Sequence, residues 1–329
     1  CIEICAKFTK INHATLATHT YTLVQLTKLS RLKYTILCFA AFALLMLNGC
    51  SGDNTKNVTA EKIILEDDLG RKIELNEQPK RVFSLASSMT EMLYAVLDTS
   101  TIIARTPNDD YPAAVYSKPV VNNYPVDYEQ ILLLKPDLIF TVEGITPLDV
   151  AERLEELGVL VYYQKYRTVE DVFTGMEDIG NIMGREEQAM QLADSLRKEV
   201  AIIAQKYKNV QQPQQVLAIT WKDPIYVYGQ NTILTDKLKI LGAENAVKEV
   251  FEQPYPALTR EYILKLNPDV LLGGTKEKLE TDFFSLYPEL RKIKAYQNNR
   301  IYDPTDNLQS RPGPRVVESL RELEGFLYL

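Results

Sequence analysis

Carboxylates and aromatic rings are the side chains that could do chemistry over most of this 329-residue chain. All of its cysteines and histidines lie at or before position 50, namely Cys1, Cys5, Cys38, Cys50, His13 and His19. Beyond that point the sequence cannot form a Cys/His zinc site, a Ser-His-Asp or Cys-His catalytic group, or a histidine ligand to haem or cobalt. It also lacks the glycine-rich nucleotide motifs and the G-x-S-x-G motif.

Two glutamates form the carboxylate pair that the sequence marks most clearly. Glu129–Phe140 (E-Q-I-L-L-L-K-P-D-L-I-F) and Glu261–Leu272 (E-Y-I-L-K-L-N-P-D-V-L-L) match at six of twelve positions, and a glutamate begins each. Such a pair could supply the acid and base of a secreted, carbohydrate-active hydrolase. Alternatively, each carboxylate could stabilise the first turn of a helix through the helix dipole, by ~0.3–1 kcal/mol. The residue types alone leave both interpretations open.

The repeat also predicts the elements that position these side chains. Each copy is typical of a short amphipathic helix that ends before a proline and is followed by an apolar strand. Since one copy lies in each half, we expect an α/β fold of two similar lobes with mainly parallel sheets, joined by a single long helix over Arg185–Asn209. The predicted units are an N-terminal lobe at 61–184, a connecting helix at 185–210 and a C-terminal lobe at 211–329.

A cleft between the lobes follows from this arrangement, because ligands of parallel sheets bind at the carboxyl ends of the strands. Glu129 and Glu261 lie in helices that precede strands. We therefore expect them at the opposite edge of each sheet, which argues against the hydrolase.

Turn and cap residues predict individual helix boundaries. Thr90 is expected to begin a helix over Thr90–Leu97, and Asp127 with Gln130 to form a capping box before the first repeat helix. Another helix is expected over Asp282–Lys292.

The first sixty residues predict export and membrane attachment. A fourteen-residue apolar run follows Lys33; it is too short to span a bilayer comfortably but suits the core of a signal peptide. It ends in L-N-G-C, which is similar to a bacterial lipoprotein box with Cys50 as the lipidated residue. We interpret 1–49 as a signal region, with 1–28 of doubtful origin because no methionine precedes Met46, and 50–60 as lipid anchor and tether. An ordinary signal peptide with an incidental cysteine is the alternative.

The charge distribution argues against a nucleic-acid partner. The chain carries a net charge of −7, and its first 49 residues are basic, so the remainder is more acidic still. Phosphate binding needs a basic face.

Six segments carry a resemblance to a known family. They are Gly70-Arg71, Pro79–Glu91, Glu129–Ile139, Leu241–Ala246, Glu261–Val270 and the R-P-G-P-R of Arg311–Arg315. Together they resemble the iron-siderophore/vitamin B12 family of ABC-importer substrate-binding proteins, and the resemblance runs from about Ile63 to the C-terminus.

The resemblance implies a transport role without enzymatic activity. In that family two α/β lobes are joined by one long helix, which implies little domain closure, and a glutamate on each lobe docks onto arginines of the membrane permease. The matching positions are Glu129 and Glu261. The implied partners are a permease dimer with its ATPase subunits and a membrane reached through the lipid anchor. We expect a monomer in the cell envelope, on the periplasmic or extracytoplasmic side.

Eight residues are our candidates for ligand binding. Asp110-Tyr111-Pro112 is similar to the D-Y-P of cobalamin-binding family members, but the tryptophans of those members are replaced by Asn123, beside Tyr124, and by Tyr255. Trp221 and Tyr226 flank a turn just past a predicted strand, with packing into a core as the alternative. The full set is Tyr111, Asn123, Tyr124, Trp221, Tyr226, Tyr255, Asn307 and Arg311.

The expected ligand is a bulky metal chelate, with cobalamin or another corrinoid as the first choice. Ferric siderophores and haem are the alternatives. An anionic ferric catecholate would need several arginines facing the cleft, whereas the loop before the last helix offers only Arg311. Complete chelates need no metal ligand from the protein, so we expect neither a protein metal site nor a resident cofactor.

Overall fold

The structure is a computed structural model that describes residues 62–328. The predicted signal region, the tether and the lipid attachment at Cys50 lie outside these residues. In the N-terminal half the elements are β1 Ile63–Glu66, β2 Lys72–Leu75, β3 Val82–Ser84, α1 Ser87–Val96, α2 Tyr128–Leu134, β4 Leu138–Val142, α3 Leu148–Glu156, β5 Val161–Gln164 and α4 Val169–Met183.

A long helix, α5 at Glu186–Tyr207, leads into the C-terminal half. The elements that follow are β6 Gln215–Lys222, β7 Ile225–Val227, α6 Ile233–Ile240, β8 Glu244–Asn245, α7 Arg260–Leu266, β9 Val270–Leu272, α8 Lys276–Asp282, α9 Lys294–Gln297, β10 Ile301–Tyr302, α10 Asp306–Gln309 and α11 Val316–Tyr328.

Each half is built on a mainly parallel sheet, as the repeat predicts. The first sheet has the order β3-β4-β5 and is parallel throughout; the antiparallel hairpin β1-β2 stands beside it. In the second sheet β10, β9, β6 and β8 are parallel, and β7 is an antiparallel edge strand. The fold is therefore α/β, with two similar lobes and a single long helix between them.

Apolar strands are buried on both faces because helices cover both sides of each sheet. All five residues of β4 are buried, and successive side chains belong to different apolar clusters: Leu138 and Phe140 to one, Ile139 to the other. The cluster around Phe140 also contains Val216 and Val270 from the second sheet. One apolar core thus runs through both halves, which form a single compact unit. The boundaries proposed for three separate units stay predictions.

The long helix is bonded to elements of both halves. Arg197 pairs with Glu177 of α4, and Tyr207 stacks on Tyr328 of α11 with ring centroids 4.3 Å apart. Its 22 residues correspond to about 33 Å at ~1.5 Å per residue. Within residues 62–328, no helix combines the length and the apolar character needed to cross a membrane.

Two of the predicted helices are wrong. The helix expected from Thr90 begins at Ser87, because Thr90 lies buried inside α1 and its hydroxyl donates to Asp109 at 2.9 Å. The helix expected over Asp282–Lys292 is two elements: α8, which ends at Asp282, and a 3₁₀ turn at Pro288–Lys292.

The predicted capping box is only half formed. The Asp127 side chain accepts from the Gln130 backbone N–H at 3.0 Å, as expected. The Asp127 backbone N–H, which a box would bond to the Gln130 side chain, instead donates to the carbonyl oxygen of Asn122.

Candidate functional site

A cleft of about 1160 Å³ lies where the parallel strands of both sheets end. Much of its lining comes from residues within four positions of the ends of these strands: Ala86, Ser87 and Ser88 after β3, Glu143 and Gly144 after β4, Tyr166 and Arg167 after β5, Gly273 after β9, and Asp303 and Pro304 after β10. The last residues of β6, Ala218–Trp221, complete this set. The carboxyl ends of parallel strands share one edge of a sheet, so the topology of each half places these residues together.

Aromatic rings from the C-terminal half form one wall of the cleft. Trp221, Tyr226, Tyr228 and Tyr255 line it. Trp221 is 64% exposed and its indole N–H donates to the Asp223 carbonyl at 2.8 Å, which orients the ring. Tyr228 and Tyr255 contact edge to face, with centroids 5.3 Å apart. Exposed aromatic faces in a concave site are suited to a large, flat, partly apolar ligand.

A buried tyrosine forms part of the opposite wall. The Tyr166 hydroxyl donates to the side-chain oxygen of Gln164, whose amide donates to the Gly175 carbonyl at 2.9 Å. A Cβ at position 175 would lie 2.9 Å from Gln164 Oε1 and 3.0 Å from the Tyr166 ring, so a larger residue there would displace this hydrogen-bonded pair. Burial raises the pKa of the Tyr166 phenol well above its ordinary value, so the phenol stays neutral.

Both arginines that line the cleft are paired with carboxylates. Arg167 donates to Glu143, the residue that follows β4. Arg311 donates to Glu91 at 3.1 Å and to Asp110, and its guanidinium also donates to the Asn108 carbonyl at 3.0 Å.

Glu91 joins the two halves beside the cleft. Its side chain on α1 is only 1% exposed and accepts from Arg315 at 2.8 and 2.6 Å, in addition to Arg311. The hydrogen bonds to Glu91 raise the pKa of Arg315, whose guanidinium also lies 4.3 Å above the Tyr111 ring. The Asn307 amide completes the contact by donating to Asp110. A buried carboxylate is therefore neutralised by two cations that lie more than 200 residues away.

The structure brings together five of the eight predicted ligand residues. Asn123, Trp221, Tyr226, Tyr255 and Arg311 line the cleft. Since Trp221 and Tyr226 are exposed, the alternative that they pack into a core does not hold. Ligand contact by the five stays a prediction.

The other three predicted residues lie elsewhere. Tyr111 packs against Arg315, Asn307 is hydrogen-bonded to Asp110, and Tyr124 is 92% exposed outside the lining of the cleft.

Sequence reasoning missed several residues of the cleft. Tyr166, Arg167 and Tyr228 follow or end strands, and that position was a usable signal. The sequence also held a signal for Glu91, which lies between Met89 and Met92 on an apolar helix. A carboxylate that is buried in such a helix needs a cation.

The two repeat glutamates lie outside the cleft. Glu129 and Glu261 are exposed in the first turns of α2 and α7, and neither lines the cavity. The hydrogen bond from Arg260 lowers the pKa of Glu261, which keeps this carboxylate charged. Their positions do not suit a shared hydrolytic site, because the two carboxylates of such a site flank one bound substrate.

The side chains that line the cleft define which contacts a ligand could make there. Nowhere in the described part of the chain do three or more His, Cys, Asp or Glu side chains cluster so as to hold a metal ion. What the lining does offer is aromatic faces, hydroxyl and amide groups, and charged side chains.

Comparison with known proteins agrees with this architecture. The periplasmic binding protein family matches residues 82–308. The ABC transporter substrate-binding lipoprotein YvrC of Bacillus subtilis, itself uncharacterised, is 29% identical over 303 residues, which cover 87% of this chain and 94% of that protein. A vitamin B12-binding protein of Vibrio parahaemolyticus is 26% identical over 249 residues, covering 75% and 89%.

A solved structure shares the fold. It is described as a possible iron-binding (periplasmic solute-binding) protein from Staphylococcus epidermidis, and it has a TM-score of 0.68 at 29% identity, covering 77% of this chain and all of that one. With a family match over more than half of its length and this shared fold, the chain belongs to the periplasmic binding protein family.

Proposed function

We propose that this protein is the substrate-binding component of an ABC importer and that it captures a bulky metal chelate, with a corrinoid as the first choice. The cleft is the observation that carries the proposal. Its volume of about 1160 Å³ lies above the ~300–1,000 Å³ of usual small-molecule sites. The ligand is therefore large.

Aromatic burial supplies most of the binding energy in this proposal. Trp221, Tyr226 and Tyr255 present ring faces that are partly exposed without a ligand, so a corrinoid or porphyrin plane would remove apolar surface from water on both partners. A working affinity between nM and μM corresponds to about −12 to −8 kcal/mol.

Ferric siderophores and haem are the alternative ligands. The relative from Vibrio parahaemolyticus is named for vitamin B12 and the structure from Staphylococcus epidermidis for iron, so both chemistries occur among similar proteins. The cleft is also lined by Tyr228 and Tyr255, and a tyrosine can serve as a haem ligand.

Delivery requires a surface for the permease, and we assign it to the repeat glutamates. Glu129 and Glu261 occupy equivalent places in α2 and α7, both are exposed, and both lie outside the cleft. An ATPase-driven permease dimer is the partner in this proposal. The protein is a monomer on the extracytoplasmic side, held at the membrane through Cys50, and catalyses no reaction.

Titration of the purified protein with cyanocobalamin, haem and ferric siderophores, followed by calorimetry or visible spectra, tests the ligand. We expect sub-micromolar binding of the corrinoid. Tight binding of a siderophore or haem, with no corrinoid binding at micromolar concentrations, would overturn the first choice.

Variants of the cleft test the site. Trp221→Ala and Tyr255→Ala should each weaken binding about tenfold, the loss typical of a buried aromatic contact. Ile202→Ala, which truncates an apolar side chain that is 65% exposed on α5, is the matched control and should leave affinity unchanged. Equal affinity in all three variants would place the ligand elsewhere.

A further inference from the structure

The cleft is lined by more acidic than basic side chains, and several of these charged side chains are already paired. Four are acidic, at Glu143, Glu252, Asp303 and Asp306, and two are basic, at Arg167 and Arg311. The net charge that a ligand can carry depends on how many of these side chains are unpaired.

Both arginines of the lining are already paired, so neither offers an unpaired charge to an anionic ligand. Arg167 is paired with one oxygen of Glu143, and the other oxygen of this carboxylate lies 3.9 Å from Lys165, which does not line the cleft. Arg311 lies between Glu91 and Asp110, and its side chain is only 11% exposed. If Arg311 turned toward a ligand, it would leave the buried Glu91 carboxylate with Arg315 as its remaining partner, which is unfavourable.

Two of the carboxylates, by contrast, are unpaired. Glu252 and Asp306 are exposed on the lining and form no ion pair with any residue between positions 62 and 328. Burial raises the pKa of the Tyr228 phenol, and the neighbouring Tyr255 and Asp306 raise it further, so Asp306 lies close to this ring. Asp303, the other acid of this wall, is paired with Lys278 at 2.8 Å.

The cleft therefore presents a net negative charge between walls of low dielectric constant, where fields are stronger than in open water. A ligand with several negative charges meets two unpaired carboxylates and no free cation among the described lining residues. A neutral ligand meets little electrostatic resistance, and a cationic ligand is attracted.

We propose that the cleft selects metal chelates of zero or positive net charge and rejects polyanionic ones, with Glu252 and Asp306 as the specificity-determining residues. This inference rests on the proposed binding function and narrows its ligand class. Corrinoids with a neutral or cationic upper ligand and cationic ferric hydroxamates fit it. Ferric tris-catecholates, with three negative charges, do not.

The test compares probes that differ in charge, using the fluorescence of Trp221, the chain's single tryptophan, as the readout at the cleft itself. The probes are neutral cyanocobalamin, cationic aquacobalamin at mildly acidic pH, cationic ferrioxamine B and trianionic ferric enterobactin, each titrated at low and at high salt. We expect at least tenfold weaker binding of the trianion than of any neutral or cationic probe that binds. For the cationic probes the affinity should fall as salt rises.

Charge-neutral variants separate this effect from packing. Glu252→Gln combined with Asp306→Asn should weaken cationic probes by roughly three- to tenfold, as expected for charges about 6 Å apart near a surface. The same double variant should weaken cyanocobalamin less than it weakens the cationic probes, and it should strengthen the trianion. Glu152→Gln, an exposed acid on α3 outside the cleft, is the control.

The outcomes distinguish this inference from the proposed function. Trianion binding as tight as that of the cationic probes, or equal loss of neutral and cationic probes in the double variant, overturns the charge rule and leaves the transport role intact. Binding of ferrioxamine B without either corrinoid supports the charge rule and overturns the corrinoid choice. If no chelate of any charge binds, both proposals fall.

Discussion

Glu91 illustrates how one buried carboxylate changes the chemistry of the site beside it. Arg311 is among the candidate ligand residues, and as a free guanidinium it would favour an anionic chelate. The structure instead pairs it with Glu91, whose side chain is 1% exposed, and with Asp110. If Arg311 turned away, the buried Glu91 would lose one of its two cations and Asp110 would lose its ion pair, which opposes a contact between Arg311 and a ligand.

Lys237 is a second buried charge, and it makes stability depend on pH. It lies on α6, 1% exposed, and its ammonium group donates to the carbonyl of the cleft residue Gln309 at 3.3 Å. Burial lowers the pKa of Lys237 to about 7, although the nearby carboxylate of Glu322 opposes this effect. Its ordinary pKa is 10.5, so between pH 7 and 10.5 the unfolded chain binds more protons than the folded one.

The sign follows directly: the free energy of unfolding rises with pH across that window, and the penalty of the buried charge is fully present below pH 7. Lys237→Met removes the penalty. We expect the variant to be more stable than the wild type by a few kcal/mol near neutral and acidic pH, since each tenfold change in proton affinity corresponds to about 1.4 kcal/mol. Urea unfolding at several pH values should show this difference shrinking as the pH approaches 10. A difference that is constant with pH would contradict the assignment.

At the scale of elements, the Pro-Asp pair has the same structural role in both copies of the repeat. Each repeat helix ends in a left-handed residue before the proline, Lys135 with φ 50° and Asn267 with φ 48°. The aspartate that follows then accepts backbone N–H groups of the segment entering the neighbouring strand. Asp137 bonds Lys80 and Arg81 before β3, and Asp269 bonds Gln215 of β6. The same bonds hold the first strand of each sheet in register with its neighbour.

Asp137→Ala and Asp269→Ala should therefore destabilise the protein in parallel, by about 1–2 kcal/mol each, because charge-assisted hydrogen bonds to backbone N–H groups are lost. For Asp269, burial raises the pKa, but the bonds from Gln215 and Lys294 outweigh it and hold the pKa below its ordinary value. Urea unfolding at neutral pH measures both losses, with Glu152→Ala as an exposed control. If either variant stays within about 0.5 kcal/mol of the wild type, its aspartate does not clamp the strand as described.

At the scale of the whole molecule, ligand and permease would use different surfaces. The cleft lies at the carboxyl ends of the strands, while Glu129 and Glu261 are exposed on helices that precede strands. The shared core, the helix at Glu186–Tyr207 and the contact of Glu91 with Arg311 and Arg315 all connect the two halves. A binding protein braced in this way can present both glutamates at a fixed spacing.

Glu129→Ala combined with Glu261→Ala should abolish uptake and leave ligand affinity within about twofold, since exposed substitutions rarely change binding or stability by more than ~0.5 kcal/mol. Uptake of labelled ligand by cells that carry the importer, together with titration of the purified variant, measures both effects. Glu152→Ala with Glu187→Ala removes two exposed acids elsewhere and should leave uptake unchanged. A large loss of affinity in the first variant would instead assign these glutamates to ligand binding.

Local sequence patterns predict much of this fold. The repeat predicts a similar α/β unit in each half, the X-Pro steps predict where its helices stop, and the unbroken stretch before Asn209 predicts the long helix; all three are observed. These features depend on neighbouring residues, so a window of ten to twenty positions contains them. The start predicted at Thr90 is wrong because Thr90 is buried and bonded to Asp109, which lies outside the helix. The start predicted at Asp282 is wrong because Thr275 caps a helix that begins earlier and ends at Asp282.

The sequence by itself determined the fold class, the absence of histidine and cysteine beyond position 50, and the aromatic residues available for a flat ligand. Only the tertiary structure decided which of these residues meet in one cleft, and that Arg167 and Arg311 are already paired. The physical reason is that Glu91 and Arg311 are 220 positions apart. A contact between such residues exists only once both sheets have formed and packed on the shared core, and the charge of the cleft follows from that packing.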